Sequence, residues 1–451
     1  MKSSTLSLTD LILFRDLFAA DYDLLVIDPE GRVEISSKEI SLLKSQSSNP
    51  IQEFLHVDLR NGNFSFSLSD VISENTSSFD FINNTDGSIR WFFPTEAKQA
   101  DFLSLYNSSS LKSKIYTTVT HFVWNIGMGK QLTSGSFIMQ QILVDRVKTK
   151  YGISEIESYS FFTGTRGATR KLVMKVQSEN GINCFIKIPQ TTLAEELVQN
   201  EYDMVKTLNK FDFTSLSLPR ISSRINGHYR LSDVKPAFTI PADKITAIHA
   251  SAVAELYAIS HDRKTISETK AWETIEFNIY TLFQELEFKN NLDQEKIGIL
   301  VEGLKKLYAT VSENESVPVS VSHGDFTPWN MYCDEQRLYV YDWEMAKNGI
   351  PMLFDLFHFS YQSVILLQKK SYKEVHQSIQ QWLQQPLVLH LIQKYRIHVP
   401  THHALYLLFN VSFYLRQYLN EKEPLMQSEW MMDAWKLAID DCLNAVKLNQ
   451  K

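Results

Sequence analysis

Four polar residues in the last third of the chain stand close enough to act together. They lie in the segment VSVSHGDFTPWNMYCDEQRLYVYDWEMA, residues 319–346. His323-Gly324-Asp325 follows a short β run, Val317–Val321. Asn330 comes five residues after Asp325, and Asp342 twelve after Asn330, at the end of a second run, Arg337–Tyr341. Phosphoryl transfer from a nucleotide asks little of a protein: a carboxylate beside the attacking hydroxyl, and oxygen ligands for magnesium. Magnesium prefers hard oxygens and takes only one or two from protein, leaving the rest to phosphate and water. An Asp/Asn/Asp set displayed from a loop and the hairpin after it meets that need. Any one of these residues alone would be the polar end of a hairpin.

Such chemistry requires upstream elements that hold a nucleotide. Phe161–Ala168 (FFTGTRGA) sits between two β-like runs, the second being Lys171–Gln177. Glycines at 164 and 167, with Thr165 between them, would let backbone N–H groups approach phosphates, although Gly-x-x-Gly is equally a hairpin turn. After a turn at 178–181, a third strand at 184–188 carries Lys187 in its middle. The helix that follows places Leu193, Leu197, Met204 and Leu208 on one stripe. Glu201 falls on that stripe, while Glu195 and Glu196 fall off it. A carboxylate on a buried face is costly unless paired. Lys187, fourteen residues earlier on the adjacent strand, is its natural partner. The run His228–Val234 follows as a further strand before the helical half, with no side-chain role assigned.

HGDFTPWN followed by YDWEMA resembles the aminoglycoside phosphotransferase/choline kinase superfamily, the small-molecule branch of the protein-kinase-like fold. The resemblance implies that Asp325 is the catalytic base, that Asn330 and Asp342 bind Mg2+, and that His323 braces the loop. It implies that Lys187 and Glu201 form the pair that positions nucleotide phosphates, with Gly164, Thr165 and Gly167 beside them. The implied cofactors are ATP or another nucleoside triphosphate, and Mg2+. Protein kinases carry a long activation segment after the metal-binding Asp; here Asp355, in GIPMLFDLFHF, follows Asp342 after thirteen residues. That shortness resembles the small-molecule branch, in which this Asp holds the catalytic loop together; capping the next helix is the alternative. Glu344, in Asp-Trp-Glu, either adds a carboxylate near the metal or faces solvent.

The implied reaction is phosphorylation of a hydroxyl on a small molecule: a sugar, an amino sugar or an amino alcohol such as choline. The alternative is a catalytically weak or inactive kinase-like nucleotide-binding protein acting through partners. Trp382, Tyr406, Tyr414, Trp430 and Trp435 could cage a quaternary ammonium, or could be helix core.

The surrounding chain has 451 residues, of which 44% are hydrophobic, 12% aromatic and 22% charged. That composition describes a soluble globular protein of two or three domains, at roughly 150 residues each, and the resemblance implies an α+β fold. With 15 Gly and 13 Pro and no repeat, collagen-like and disordered classes are excluded. The net charge of −7 argues against a nucleic-acid partner. The best uncharged apolar stretch, 356–368, is too short to span a membrane. Three scattered cysteines suggest neither a metal knuckle nor a disulfide framework, and the expected location is cytoplasmic.

The expected organisation is a bilobal kinase-like core with a β-rich N-lobe at 151–234 and a helical C-lobe at 235–451. Residues 1–150 form an extra mixed α/β extension of unassigned role. Within it, 24–27 and 33–35 read as strands, 88–93 as another, and Thr95 as the cap of a helix through Tyr106. Gly127-Met128-Gly129-Lys130 lacks the spacing of a phosphate loop. Pro241 opens a helix, and others are expected at 271–290, 293–312, 371–384, 400–420 and 427–447.

Overall fold

Strands dominate the first half of the chain and helices the second. The computed structural model describes residues 23–27, 55–58, 63–66, 76–84, 87–105, 111–140, 153, 156–164, 167, 169–178, 183–225, 228–236, 239–288, 295–420 and 426–449. The chain divides into one unit of residues 1–206 and 219–233, and a second of 207–218 and 234–451. The first is β-rich and the second mainly helical, the α+β division expected of a kinase-like fold.

One antiparallel sheet runs through the first unit. Its strands are β1 (Asp23–Ile27), β2 (Leu55–Asp58), β3 (Asn63–Phe66), β4 (Thr76–Asn83), β5 (Ile89–Pro94), β6 (Gly135–Gln140), β7 (Ser158–Phe162), β8 (Lys171–Gln177) and β9 (Asn183–Pro189). Past β10 (Leu216–Ser217), which belongs to the second unit, β11 (Arg220–Ile225) and β12 (His228–Ser232) complete it. The order is β11-β12-β9-β8-β7-β5-β4-β6-β1-β2-β3.

The sheet does not break at residue 150. β5 pairs with β7 through Trp91–Phe162 and Phe92–Phe161. Phe79, Phe92 and Phe161 are fully buried, and the rings of Phe92 and Phe161 stack at 4.3 Å. Each such pair adds about 0.5–1.5 kcal/mol beyond its buried area. Side chains alternate across a strand, so Trp91 and Phe93 face the other way, onto Phe102 and Trp124.

The expected helix from Thr95 to Tyr106 is not there. Turns lead from Pro94 into a 3-10 turn at Asp101–Leu105, which buries Phe102 and Leu103 against Trp91 and Phe93. Packing of those side chains overrides the local cap signal. The helix of this region is instead α1 (Leu111–Asn125). Gly129, in the discounted Gly-Met-Gly-Lys stretch, packs on the Trp124 ring, where a Cβ would sit 2.5 Å from it. The strand at 24–27 is present within β1; 33–35 lies outside the described residues.

Helix α2 (Thr192–Leu208) follows β9. Its buried face is Ala194, Val198, Glu201, Val205 and Leu208, one position off the expected Leu193/Leu197/Met204 stripe; Leu193 is exposed. Spacings of 4, 3, 4 and 3 keep this face on one side, with Glu201 at its centre.

The second unit is built on α3 (Ala247–Ser260), α4 (Lys270–Phe288), α5 (Glu295–Tyr308), α6 (Phe354–Tyr361), α7 (Tyr372–Leu383), α8 (Pro386–Tyr395), α9 (Val399–Asn420) and α10 (Met426–Asn449). Two small sheets interrupt them. One joins β10 to β13 (Ile240–Pro241), β16 (Met331–Cys333) and β17 (Leu338–Val340); the other joins β14 (Asp262–Thr265), β15 (Ser316–Ser322) and β18 (Lys347–Pro351). Pro241 therefore ends a short strand and opens no helix. Thr246 caps α3 instead, in a capping box with His249. Residues 356–368, the apolar stretch noted above, form α6 and a π-helical turn at Gln362–Leu367 inside the helical core.

Candidate active site

The sequence-selected residues fall into two groups, one in each unit. In the first unit, β7 ends at Phe162 and the chain turns at Gly164, whose φ is +70°. A Cβ there would stand 2.3 Å from the Lys171 carbonyl, so only glycine fits. The buried Arg170 braces the turn by donating its Nε–H to the Thr163 carbonyl at 3.2 Å. Gly167 has φ +154°, and Thr165 lies outside the described residues.

Lys187 sits in the middle of β9 with its chain pointing at α2. Its Nζ lies 2.6 Å from Glu201 Oε2, and the side chains are 9% and 0% exposed. A second donor meets the same oxygen: the Tyr229 hydroxyl. Tyr229 stands directly opposite Lys187 in the β12–β9 ladder, which puts both side chains on one face of the sheet. Removing one member of a buried ion pair strands a charge and costs about 3–5 kcal/mol.

In the second unit, β15 delivers the chain to His323-Gly324-Asp325. The imidazole of His323 is fully buried. Its Nδ1 accepts the Asp325 N–H at 3.2 Å, so Nε2 carries the proton and donates to the Tyr341 carbonyl at 2.9 Å. His323 thereby ties the loop to the end of β17. The brace and the satisfied core histidine are the same residue. Gly324 has φ +81°, and a Cβ on it would lie 2.4 Å from the Met345 carbonyl.

Asp325 carries its carboxylate at the end of this brace, 31% exposed. Asn330 donates from Nδ2 to Asp325 Oδ2 at 2.8 Å and to its carbonyl at 3.0 Å. Asp342 follows β17 in the left-handed region, at φ 65° and ψ 57°, and Trp343 behind it is buried edge-on to His323 at 4.6 Å.

Asp355, on the first turn of α6, is turned into the loop. Its Oδ1 accepts the Ser322 hydroxyl at 2.7 Å and the Gly324 N–H at 3.2 Å, and its Oδ2 accepts the His323 N–H at 2.9 Å. Of the two expectations for Asp355, it makes the loop contacts. One turn on, His358 reaches Asp325 Oδ1 through Nε2 at 3.3 Å.

Tyr229 and His358 escaped the sequence reading. Tyr229 is found only through strand register. His358 left a trace, because a residue three after Asp355 shares its helix face. The aromatic set divides: Trp382, Tyr406 and Trp435 are buried core, Tyr414 stacks on Trp435 at 5.9 Å, and Trp430 is half-buried. Elsewhere in this unit a cavity of about 320 Å³ is walled by polar side chains, Lys244, Glu374, Gln377, Gln381 and Gln385 among them. Phe359 also lines it and packs on Phe326, the residue after Asp325, at 6.2 Å.

Three solved structures are similar to the chain at low identity. Amicoumacin kinase hAmiN in complex with AMP-PNP, Ca2+ and Ami is 11% identical over 66% of this chain and 92% of its own, with a TM-score of 0.41. The streptomycin–ATP–APH(2'')-IIa ternary complex is 12% identical over 67% and 95%, at 0.40. Macrolide 2'-phosphotransferase MphH from Brachybacterium faecium is 13% identical over 62% and 98%, at 0.36. No curated protein matches the chain. No described helix is long and apolar enough to cross a membrane. The model of the phosphotransferase enzyme family matches residues 173–364, a span that holds Lys187, Glu201, His323, Asp325, Asn330, Asp342 and Asp355 and bears out the resemblance to the aminoglycoside phosphotransferase/choline kinase superfamily.

Proposed function

We propose that the chain is an ATP- and Mg2+-dependent phosphotransferase that phosphorylates a hydroxyl of a small molecule. The observation that carries this reading is Asp325: a carboxylate kept partly open to solvent on a loop whose other polar groups are spent on holding it. In this reading Asp325 accepts the hydroxyl proton as the oxygen attacks the terminal phosphorus, and the leaving group is the nucleoside diphosphate. Lys187 holds nucleotide phosphates, Glu201 and Tyr229 hold Lys187, and the turn at Gly164 offers backbone N–H groups to phosphate oxygens, a role the resemblance also gives to Thr165 and Gly167. His323 keeps the loop in register with β17.

The residues present fit magnesium. Asn330 spends its Nδ2 on Asp325, which leaves its amide oxygen, a hard neutral ligand, at the free end of the side chain. Asp342 adds a carboxylate from a backbone turn that departs from the strand direction. When bound there, the ion would neutralise charge on the phosphates.

The acceptor belongs to a hydroxyl-rich class rather than a quaternary ammonium. Three of the five aromatics that could have built a cage are core, and the cavity beside Phe359 is walled by amides and charges suited to hydroxyl and amino groups. The test is a radiolabelled-ATP screen of the full chain against sugars, amino sugars, amino alcohols and nucleosides, with Asp325→Asn as control. Label should pass to a sugar or amino sugar and be lost in the variant. Transfer that survives Asp325→Asn would sink the assignment of the base.

A further inference from the structure

The carboxylate of Asp325 is held at two points, and only one of them is the motif asparagine. Asn330 takes Oδ2; His358 takes Oδ1, from α6, thirty-three residues away. His358 is 4% exposed, so its ring is surrounded by protein. On its far side Nδ1 faces two groups from α9: Asn410 Nδ2 at 3.2 Å and the Tyr406 hydroxyl at 3.4 Å. An amide NH2 only donates, and the buried Tyr406 hydroxyl keeps its proton, because burial raises its pKa well above the ordinary tyrosine value. Nδ1 is therefore the acceptor and Nε2 bears the hydrogen. The carboxylate requires the same answer, since a bare Nε2 lone pair would repel Asp325 Oδ1. The two sides of the ring agree on one tautomer.

We propose that His358 is a positioning residue for Asp325, locked by Asn410 as the Nε2–H tautomer so that its one hydrogen fixes the orientation of the carboxylate. This rests on Asp325 being the base of the reaction proposed above. With both oxygens tethered, the carboxylate plane cannot rotate about the Asn330 contact, while the side chain stays 31% exposed and open to an acceptor hydroxyl. The charged groups packed around the ring are Asp325 in front and Asp355 and Lys347, which line a cavity of about 20 Å³ beside it together with Tyr406 and Asn410. Asn410 Oδ1 is buried and accepts no hydrogen bond. That cavity is large enough for a single water, which would supply the missing donor and hold the amide in the orientation that locks His358.

A packing histidine would behave differently. His358→Phe keeps a ring and loses the donor, whereas His358→Gln places an amide N–H near the position of Nε2. Since misplacing a reacting group by about 1 Å costs on the order of 100-fold, Phe should lower kcat for Mg-ATP hydrolysis by the full chain about 10- to 100-fold. KM for ATP should stay within twofold, and Gln should recover most of kcat. A second readout needs no turnover: the 15N shifts of the His358 imidazole in the wild-type chain should report a protonated Nε2 and a bare Nδ1 at pH 7.5. The proposal is overturned by an Nδ1–H tautomer, by a Phe variant with wild-type kcat, or by a Gln variant as slow as Phe. A wild-type chain with neither ATP hydrolysis nor transfer would instead refute the phosphotransferase reading, and the 15N shifts would still decide the tautomer.

Discussion

Asp355 offers the sharpest test of how the candidate loop is held. It is 6% exposed and accepts three hydrogen bonds, two of them from the backbone of His323 and Gly324. A hydrogen bond to a charged group is worth about 1.5–3 kcal/mol, so three sum to roughly 4.5–9. Deleting the carboxylate also returns the several kcal/mol it cost to bury it. The net loss for Asp355→Ala should be about 3–5 kcal/mol, confined to the loop. Since each 1.4 kcal/mol is a factor of ten, amide exchange at His323 and Gly324 should accelerate at least 100-fold if it proceeds through local opening.

Asp355→Asn gives the finer reading. Whichever way its amide turns, one of the two backbone N–H groups meets an NH2 and loses its acceptor. One amide should therefore stay protected and the other exchange faster. The assay is native-state hydrogen exchange on the full chain, resolved at residues 322–326. If both amides keep their protection in Asp355→Ala and the change appears at the start of α6 instead, Asp355 is a helix-cap residue and the argument for a clasped loop fails.

Three further perturbations have defined outcomes. Tyr229→Phe removes a donor on Glu201 and should raise KM for ATP at least 10-fold, the worth of one hydrogen bond to a charge, with kcat changed less; an unchanged KM would remove Tyr229 from the proposed nucleotide site. Gly324→Ala drives a Cβ to 2.4 Å from the Met345 carbonyl at a left-handed φ, so transfer should fall at least 100-fold while circular dichroism stays near wild type. Acid should destabilise the helical unit before its carboxylates titrate. Burial pushes His249 down to about 3 and His402 and His403 down to about 4, against about 6.5 when unfolded. Between those values the unfolded state binds more protons, so stability falls with falling pH, by about 1 kcal/mol per histidine from pH 7 to 5.5. Melting temperatures flat over that range would contradict it.

The candidate segment was legible because its residues are local in sequence. His323, Asp325, Asn330 and Asp342 lie within one loop and hairpin, and their types and spacings survive translation into structure. Glu201 was legible for a sturdier reason than its leucine neighbours. The buried face of α2 proved to be the Ala194/Val198/Val205 side, one residue from the stripe read in the sequence, yet Glu201 lies on it because a helix face is wide enough to tolerate that error. What stayed hidden was non-local. Tyr229 meets Glu201 only through the β12–β9 register. The stacking of Phe92 on Phe161 joins the first 150 residues to the strand that leads into the Gly164 turn, and no periodicity announces which strands will be neighbours.

The loop is also held by backbone that propensity would not choose. Leu353, just before α6, has φ 72°, a left-handed conformation that costs a bulky residue about 1–3 kcal/mol. Its N–H is held at 2.6 Å by the hydroxyl of Tyr257, buried in α3, where burial raises the phenol pKa and keeps the group neutral. The turn at Leu353 sets the direction in which α6 starts, and hence where Asp355 and His358 point. A relaxed residue there would save local strain and swing both side chains off the loop. The position of Asp325 thus depends on a strained turn, a buried phenol and two side chains on one helix face. None of these lies within the HGDFTPWN motif by which the site is recognised.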